Sequence, residues 1–197
     1  MLRAGSSLEE ALEQLKEGKP VVVPTDTIYG IVTDATNYRA VQLLKRIRRP
    51  SGKPFVVLIP DPSWVGKLGL VANKKTLRLL SIPGLTLVLE KRGRLFWWLG
   101  RKTVAVRYPR KGLIYELLRR FRKPLVAPSA NPEGKPPARS VREAMEYFSK
   151  KVELYVDGGF IENSPSSIVE PSKGRIIRRG KLSYESINRI VEGVKGW

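Results

Sequence analysis

Apolar and amphipathic stretches alternate along most of this chain. The spacing of one helix face recurs at Leu8, Ala11, Leu12 and Leu15. It predicts a helix over roughly residues 7–17, with Ser7 and Glu10 at capping-box positions. The apolar run at 21–24 then predicts a buried strand. This alternation is typical of α/β proteins.

The same patterns predict most of the remaining elements. Further helices are expected over 40–47, 73–81, 113–120, 140–148 and 184–194, and further strands over 55–59, 85–90, 103–107, 125–127, 152–156, 167–170 and 175–178. Their less regular order near the C-terminus favours a mixed sheet over a purely parallel one. At 197 residues, we expect a single domain over 1–197.

Composition excludes several classes of protein. The chain has neither Cys nor His, which rules out disulfides, zinc sites with those ligands, thiol nucleophiles and every Ser-His-Asp arrangement. There is no run of about 18 apolar residues, so no membrane span is expected. The N-terminus lacks the apolar segment of a signal peptide, and a cytoplasmic protein is the simplest interpretation.

The formal net charge is +19, which favours binding of nucleotides or polyanions. A solvated surface of thermophilic type explains the charge about as well. Basic residues cluster near 45–53, 119–123 and 175–181, and two of these clusters lie close in sequence to candidate binding turns.

Two polar turns follow predicted strands. One is Thr25-Asp26-Thr27-Ile28-Tyr29-Gly30, and the other is Pro128-Ser129-Ala130-Asn131. Turns of this kind present hydroxyls, amides and backbone N–H groups to a ligand, so they predict a pocket for a small polar molecule and a phosphate. No Walker A or G-x-G-x-x-G pattern is present, and no carboxylate cluster has the spacing of a metal site.

The order of motifs resembles the YrdC/Sua5/TsaC family over about residues 5–190. The matching segments are 21–36, Arg49-Pro50, Lys53-Pro54, 83–86, 104–109, 127–131, 166–169 and 177–180. The resemblance implies a twisted, open α/β sheet with flanking helices and a concave, basic cavity, in the short single-domain form of the family.

The implied activity is threonylcarbamoyl-AMP synthesis from L-threonine, bicarbonate and ATP, with release of pyrophosphate. Mg²⁺ is expected to arrive with ATP. The product would feed t6A modification of tRNA, through a separate downstream tRNA threonylcarbamoyl transferase. Positioning and electrostatic stabilisation suffice for such chemistry, so a site without His or Cys is acceptable.

The resemblance also implies roles for individual residues. Threonine would be bound by Thr25, Thr27, Tyr29, Arg107 and Ser167. The nucleotide would be bound by Arg49, Lys53, Ser129, Asn131 and Arg178, and Arg49, Arg48 and Ser129 would carry the catalytic step. A buried core tyrosine is the alternative for Tyr29. Thr86 matches a P-G-x-x-T segment of the family, and a plain strand threonine is the alternative there.

One departure from the family pattern concerns its K-x-R-P motif. Ile47 stands where the family has lysine. Either Arg48 or Lys45 takes that role, and the helix periodicity favours Arg48. Guanidinium and ammonium groups are not equivalent, which puts the bicarbonate and phosphate contacts in question.

Two other functions stay open at this point. The basic charge fits an RNA-binding module without synthase activity, and some family members were proposed to bind double-stranded RNA. A different ligase on the same scaffold, such as a carbamoyl-adenylate-forming enzyme, is the second. Phe96-Trp97-Trp98 lies among basic residues and either stacks on nucleic-acid bases or closes a surface loop over the core.

Overall fold

The computed structural model describes residues 3–4, 7–48 and 51–194. In chain order the elements are β1 (Arg3–Ala4), α1 (Leu8–Lys16), β2 (Val21–Pro24), β3 (Tyr29–Asp34), α2 (Tyr38–Arg48), β4 (Val56–Leu58), α3 (Trp64–Lys67), α4 (Lys74–Leu79), β5 (Leu85–Glu90), β6 (Thr103–Arg107), α5 (Leu113–Phe121), β7 (Leu125–Val126), α6 (Val141–Phe148), β8 (Leu154–Tyr155), β9 (Ser167–Glu170), β10 (Arg175–Arg178) and α7 (Tyr184–Val194). Within these ranges no helix is long and apolar enough to cross a membrane.

The strands form one open, twisted, mixed sheet, as predicted. Its order among the described residues is β1-β8-β2-β3-β7-β4-β6-β5-β9-β10. Pairs such as β4 with β6 and β5 with β9 are parallel, whereas β2 with β3, β3 with β7 and β5 with β6 are antiparallel. Strands distant in sequence therefore become neighbours at the centre of the sheet.

Helices cover both faces of the sheet because neighbouring strand residues point to opposite sides. In β2, Val21 and Val23 pack in one core cluster, with α1 and α5. Val22 packs in the other, which contains residues of α2, α6 and α7. The predicted α/β architecture with flanking helices is confirmed.

Local signals fixed several helix boundaries. The Ser7 hydroxyl accepts from Glu10 N at 3.2 Å, and the Glu10 carboxylate accepts from Ser7 N at 2.8 Å, which confirms the capping box of α1. Ser140 also caps α6, because its hydroxyl accepts from Glu143 N at 3.2 Å, while the Glu143 carboxylate accepts from Arg139 N at 2.9 Å. Each predicted helix is present with its ends displaced by no more than about two residues.

The strand β3 was not predicted. The sequence pattern places Tyr29 and Gly30 in a polar turn and predicts no element over residues 31–34. The structure buries all six residues of β3 and pairs the strand with β2 on one side and β7 on the other. The short helix α3 was also missed.

Candidate functional site

The first polar turn closes the hairpin between β2 and β3. The Thr25 hydroxyl donates to the Ile28 carbonyl at 2.6 Å and accepts from the N–H groups of Thr27 and Ile28, each at 3.2 Å. The Thr25 and Thr27 hydroxyls lie 3.1 Å apart. These bonds replace ladder hydrogen bonds at the end of the hairpin and fix both hydroxyls side by side.

Arg107, at the end of β6, contacts this turn through two of its guanidinium nitrogen atoms. Its Nη1 donates to the Thr27 hydroxyl at 2.8 Å, and its Nη2 lies 3.1 Å from a carboxylate oxygen of Asp26. The residue is only 6% exposed, and burial lowers the pKa of its guanidinium while Asp26 opposes that shift. Its Nε has no hydrogen-bond partner in the described part of the chain.

The second polar turn lies directly beside the first. Gly30 forms an isolated antiparallel bridge with Ser129. Ile31 N donates to the Pro128 carbonyl at 3.0 Å, and Ala130 N donates to the Tyr29 carbonyl at 2.8 Å. A Cβ at Gly30 would lie 3.3 Å from both the Pro128 carbonyl oxygen and a Thr25 methyl group, so the close approach of the two turns favours glycine there.

Arg48, the last residue of α2, braces the second turn. Its Nε donates to the Ser129 carbonyl at 2.8 Å, and its Nη2 donates to the Ser129 hydroxyl at 3.2 Å and to the Asn131 side-chain oxygen at 3.3 Å. Arg48 is 4% exposed and is not among the residues that line the cavity described below. The predicted catalytic role of Arg48 stays a prediction, and the structure shows two of its nitrogen atoms bonded to the turn.

Asn131 is used inside its own loop. Its amide donates to the carbonyls of Pro132 at 2.9 Å and Lys135 at 2.6 Å, while its oxygen accepts from Arg48. Asn131 is buried and lies behind the cavity wall rather than in it. Its side chain therefore shapes the turn that presents Ser129.

A third segment contributes Ser166 and Arg178. The Ser166 and Thr86 hydroxyls lie 2.8 Å apart. Arg178 donates from Nε to the Ser166 carbonyl at 3.0 Å and from Nη2 to the Ser166 hydroxyl at 3.1 Å. These bonds to Ser166 orient Arg178, which ends β10. Both residues border the cavity described below.

Ser167 requires a correction. It was predicted in the threonine pocket, but its fully buried hydroxyl accepts from the N–H groups of Gly180 and Leu182, both at 3.1 Å. The side chain of its neighbour Ser166 lies on the cavity side instead, because adjacent residues of an extended segment face opposite ways. Ser167 anchors the loop after β10.

These segments surround one cavity of about 280 Å³. Its polar lining residues are Thr25, Thr27, Tyr29, Arg107, Ser129, Ser166 and Arg178. Its apolar lining includes Ile28, Phe55, Val56 and Val88, and no Asp or Glu is among the lining residues that the structure describes. The cavity thus combines hydroxyl groups, two guanidinium groups and an apolar wall, which suits a small anionic ligand.

Tyr29 and Lys53 are placed differently from the other predicted residues. Tyr29 borders the cavity, but its buried hydroxyl donates to the Gly159 carbonyl at 2.7 Å and accepts from Gly158 N at 2.9 Å. Burial raises the pKa of this phenol. Lys53 is exposed, lies 4.0 Å from a Glu133 carboxylate oxygen and is not part of the cavity lining.

Arg49 lies outside the described residues, so its predicted role stays a prediction. Lys181, which sequence reasoning left out, donates to the Asp26 carbonyl at 3.0 Å and ties the loop after β10 to the first turn. Asp26 was likewise not assigned to the site, although its position between Thr25 and Thr27 was a usable signal. Among the described residues no group of three or more His, Cys, Asp or Glu side chains could hold a metal ion.

The open mixed sheet and the hydroxyl-lined cavity define an α/β protein with a candidate binding site between its two polar turns. The sequence profile of the Sua5/YciO/YrdC family, which carries the description telomere recombination, matches residues 13–180. The chain belongs to this family.

Curated relatives extend this result. The chain is 33% identical over 192 residues to a putative threonylcarbamoyl-AMP synthase of Mycobacterium tuberculosis, covering 92% of this chain and 87% of the relative. It is 30% identical over 191 residues to the threonylcarbamoyl-AMP synthase of Pyrococcus abyssi, covering 92% of this chain but 56% of that protein. The chain therefore spans little more than half the length of the second relative.

Two solved structures have the same fold. The Pyrococcus abyssi Sua5 structure complexed with L-threonine matches with a TM-score of 0.85 and 27% identity, over 96% of this chain and 60% of that one. Full-length HypF in a phosphate- and nucleotide-bound form matches with a TM-score of 0.80 and 26% identity, over 89% of this chain and 29% of that one.

Proposed function

We propose that this protein is an L-threonylcarbamoyladenylate synthase, which condenses L-threonine, bicarbonate and ATP to threonylcarbamoyl-AMP and pyrophosphate. The observation that supports this most is the single cavity, where Thr25, Thr27, Arg107, Ser129 and Arg178 meet from distant parts of the chain. Three anionic groups must be held together in this reaction, and fixed cations and hydrogen-bond donors offset their repulsion. The names of the relatives agree with this choice.

The chemistry consists of two steps. The threonine amine attacks the carbon of bicarbonate, and loss of water gives a carbamate. A carbamate oxygen then attacks the α-phosphorus of ATP, and the bond from that phosphorus to the bridging oxygen breaks, so that pyrophosphate leaves. No covalent enzyme intermediate is needed. Alignment of bound reactants supplies about 7–11 kcal/mol of barrier reduction in favourable cases.

We assign the threonine end of the cavity to the first turn and Arg107. Arg107 borders the cavity, so its guanidinium is the cation that we assign to the substrate carboxylate. Thr25, Thr27 and Ser166 offer hydroxyls to the polar groups of the amino acid, and the Tyr29 ring forms part of the wall. Asp26 holds Arg107 charged in this buried position.

We assign the phosphate end to Ser129 and Arg178, with Arg49 and Lys53 from the segment after α2. Arg48 and Asn131 position the Ser129 turn, because Arg48 donates from Nε and Nη2 to residues of that turn and Asn131 bonds within its own loop. Mg²⁺ would be held by ATP phosphates and water, as is usual for this ion. When bound, it neutralises phosphate charge.

The product is an activated carbamoyl adenylate, which a downstream transferase would use for t6A modification of tRNA. We propose that residues 1–197 act as one catalytic domain and that the protein works in the cytoplasm.

The test is a turnover assay with purified protein and labelled ATP. Pyrophosphate should appear only when L-threonine, bicarbonate and ATP are all present. Pyrophosphate release that does not depend on threonine would contradict the proposal.

A related ligase is the second candidate, since the HypF structure shares the fold at a similar identity. The two are separated by an amine screen under the same conditions. The synthase should prefer L-threonine over other amino acids, and it should use bicarbonate rather than carbamoyl phosphate as the source of the carbonyl carbon. Turnover with carbamoyl phosphate and no amino acid would favour the second candidate.

A further inference from the structure

A group of aromatic side chains lies on the surface at the start of α2 and in the segment between β5 and β6. We call Tyr38, Trp97 and Trp98 the aromatic ledge. The Tyr38 ring centroid lies 5.6 Å from each of the two indole rings, and the two indoles are 6.2 Å apart, nearly perpendicular. Trp97 is 49% exposed and Tyr38 is 44% exposed, so large apolar ring surfaces face solvent.

The ledge is rigidly built. The Trp98 indole N–H donates to the Ala35 carbonyl at 3.0 Å, and Lys45 Nζ donates to the Trp98 carbonyl at 3.2 Å. Lys91 Nζ donates to the carbonyls of Phe96 at 2.8 Å and Gly100 at 3.2 Å, on either side of the two tryptophans. Three separate anchors thus fix the tryptophan turn, while Trp97 stays half exposed.

The backbone of this turn is also unusual. Phe96 has φ 51° and ψ 40°, a left-handed conformation that is unfavourable for a bulky residue. Such conformations persist where the surrounding structure holds them, and they cluster at functional sites. Here the strained residue is the one that turns Trp97 outward, next to the Trp98 ring that closes the core.

The surroundings of the ledge are cationic. A shallow cavity of about 330 Å³ is bordered by Trp97 and Trp98 together with Lys45, Arg101 and Lys102, and none of its described lining residues is acidic. Arg92 and Arg94 of the same segment are exposed. Pro54 borders both this cavity and the cavity between the two polar turns, so the two cavities adjoin and share no polar lining residue.

We propose that the aromatic ledge binds single-stranded RNA, with unpaired bases stacked on Trp97 and Tyr38 and phosphates held by Arg101 and Lys102. Exposed aromatic rings flanked by cations are the recurring platform for unpaired bases. Bases in a duplex are already stacked on each other, so a duplex would present only its phosphates and not its base faces to these rings. The choice of RNA over DNA rests on the proposed function, whose product is used on tRNA, whereas the ledge itself does not depend on it.

The test measures binding of a fluorescein-labelled uridine 12-mer by fluorescence anisotropy over a range of salt concentrations. Trp97→Ala should weaken binding about fivefold or more, the low end of the loss expected for one stacked base. Tyr184→Ala is the matched control, because Tyr184 is 61% exposed and stacks on Arg179 on another part of the surface. This control should bind RNA as the wild type does.

A second pair of variants tests the cations. Arg101→Ala with Lys102→Ala should weaken binding and reduce its salt dependence, because two phosphate contacts are lost. Lys150→Ala with Lys151→Ala removes the same charge from an exposed site elsewhere and should have a clearly smaller effect. Equal losses in the two double variants would show that only net charge attracts the RNA and would overturn the proposal.

Other outcomes also decide the matter. Unchanged RNA binding by Trp97→Ala would contradict the proposal. So would tighter binding of a matched RNA duplex or of a thymidine 12-mer. A protein dimer that is lost in Trp97→Ala, while the wild type binds no RNA, would also contradict it. Pyrophosphate release by Trp97→Ala should equal that of the wild type, which shows that the variant is folded. Absence of synthase activity in the wild type, together with Trp97-dependent RNA binding, would contradict only the proposed function.

Discussion

The two polar turns of the site are built alike but supported differently. Each follows or adjoins a buried strand, and each is held by an arginine that is at least 94% buried, since Arg48 is 4% and Arg107 is 6% exposed. Arg48 directs its hydrogen bonds to Ser129 and Asn131 and lies behind the cavity wall. Arg107 binds Thr27 and Asp26 but also borders the cavity.

This difference distinguishes an arginine that positions a turn from an arginine that binds a substrate, and sequence motifs do not make that distinction. A buried arginine that donates to a turn and lies outside the cavity lining fixes the geometry of that turn. A buried arginine that also borders the cavity can bind a substrate anion. We therefore assign Arg107 to substrate binding and Arg48 to positioning, and the two should respond differently to substitution.

The largest effect is expected for Arg107→Lys. The variant keeps the charge beside Asp26 but loses the planar fork of donors. Hydrogen bonds to charged groups contribute about 1.5–3 kcal/mol, so kcat/KM for threonine should fall about 10- to 150-fold, mainly through KM. The measurement is the rate of pyrophosphate release at saturating ATP over a range of threonine concentrations.

The matched control is Arg110→Lys, an exposed arginine just after the same strand. It should behave as the wild type. An unchanged KM for threonine in Arg107→Lys would remove Arg107 from the substrate site and erase the contrast with Arg48.

Arg48→Met should act mainly on stability. It leaves the Ser129 carbonyl and the Asn131 oxygen without their buried donor, which costs about 1–3 kcal/mol of unfolding free energy. Urea unfolding measures the loss, and Arg46→Met, an exposed position on the same helix, is the control. A variant with wild-type stability and a lost affinity for ATP would show that Arg48 binds phosphate directly.

Ser129→Ala and Arg49→Ala should each slow pyrophosphate release about tenfold or more, as expected for loss of one transition-state donor. Ser129→Ala keeps the backbone bond from Arg48 to residue 129, so its stability should change little. Ser149→Ala, at an exposed helix end, serves as control. Wild-type rates in both variants would remove these residues from the phosphate end.

The smallest effect concerns the support of the first turn by Tyr29. Tyr29→Phe removes the bonds to Gly158 and Gly159 and should cost about 1 kcal/mol. Tyr155→Phe should be nearly neutral, because the buried Tyr155 hydroxyl has no hydrogen-bond partner in the described structure. Urea unfolding measures the free energy of unfolding of both variants. Equal losses in the two variants would contradict the stabilising role of the Tyr29 hydroxyl.

These tyrosines also predict a pH dependence. Burial raises the pKa of Tyr29 above its ordinary value of 10.0 and that of Tyr155 to about 12. A phenol with a raised pKa in the folded state stabilises the protein fully below the unfolded value, and that contribution is lost as pH rises through the folded value. Above pH 10, the wild type should therefore lose stability more steeply than Tyr29→Phe. Parallel curves would show that Tyr29 does not contribute.

Much of the fold followed from local pattern. The periodicity of Leu8 to Leu15 and the apolar run at Val21 predicted α1 and β2 closely. The strand β3 was missed because its polar residues Thr33 and Asp34 are buried by neighbouring strands on both sides, an environment that local sequence does not reveal.

The site was predictable at the level of segments and less so at the level of side chains. Thr25, Thr27, Arg107, Ser129 and Arg178 do border one cavity. The direction of Arg48 and the choice between Ser166 and Ser167 depend on which face of an element meets the cavity, and that is set by packing across the sheet. Of the two alternatives for Phe96-Trp97-Trp98, packing over the core is confirmed for Phe96 and Trp98, whereas base stacking by the exposed Trp97 stays a prediction.

The most direct test is a crystal structure with L-threonine and a non-hydrolysable ATP analogue bound. The threonine carboxylate should lie within hydrogen-bond distance of Arg107, and the α-phosphate should lie beside the Ser129 hydroxyl, both in the cavity between the two turns. Ligands bound on separate surfaces, or an α-phosphate far from Ser129, would contradict the account.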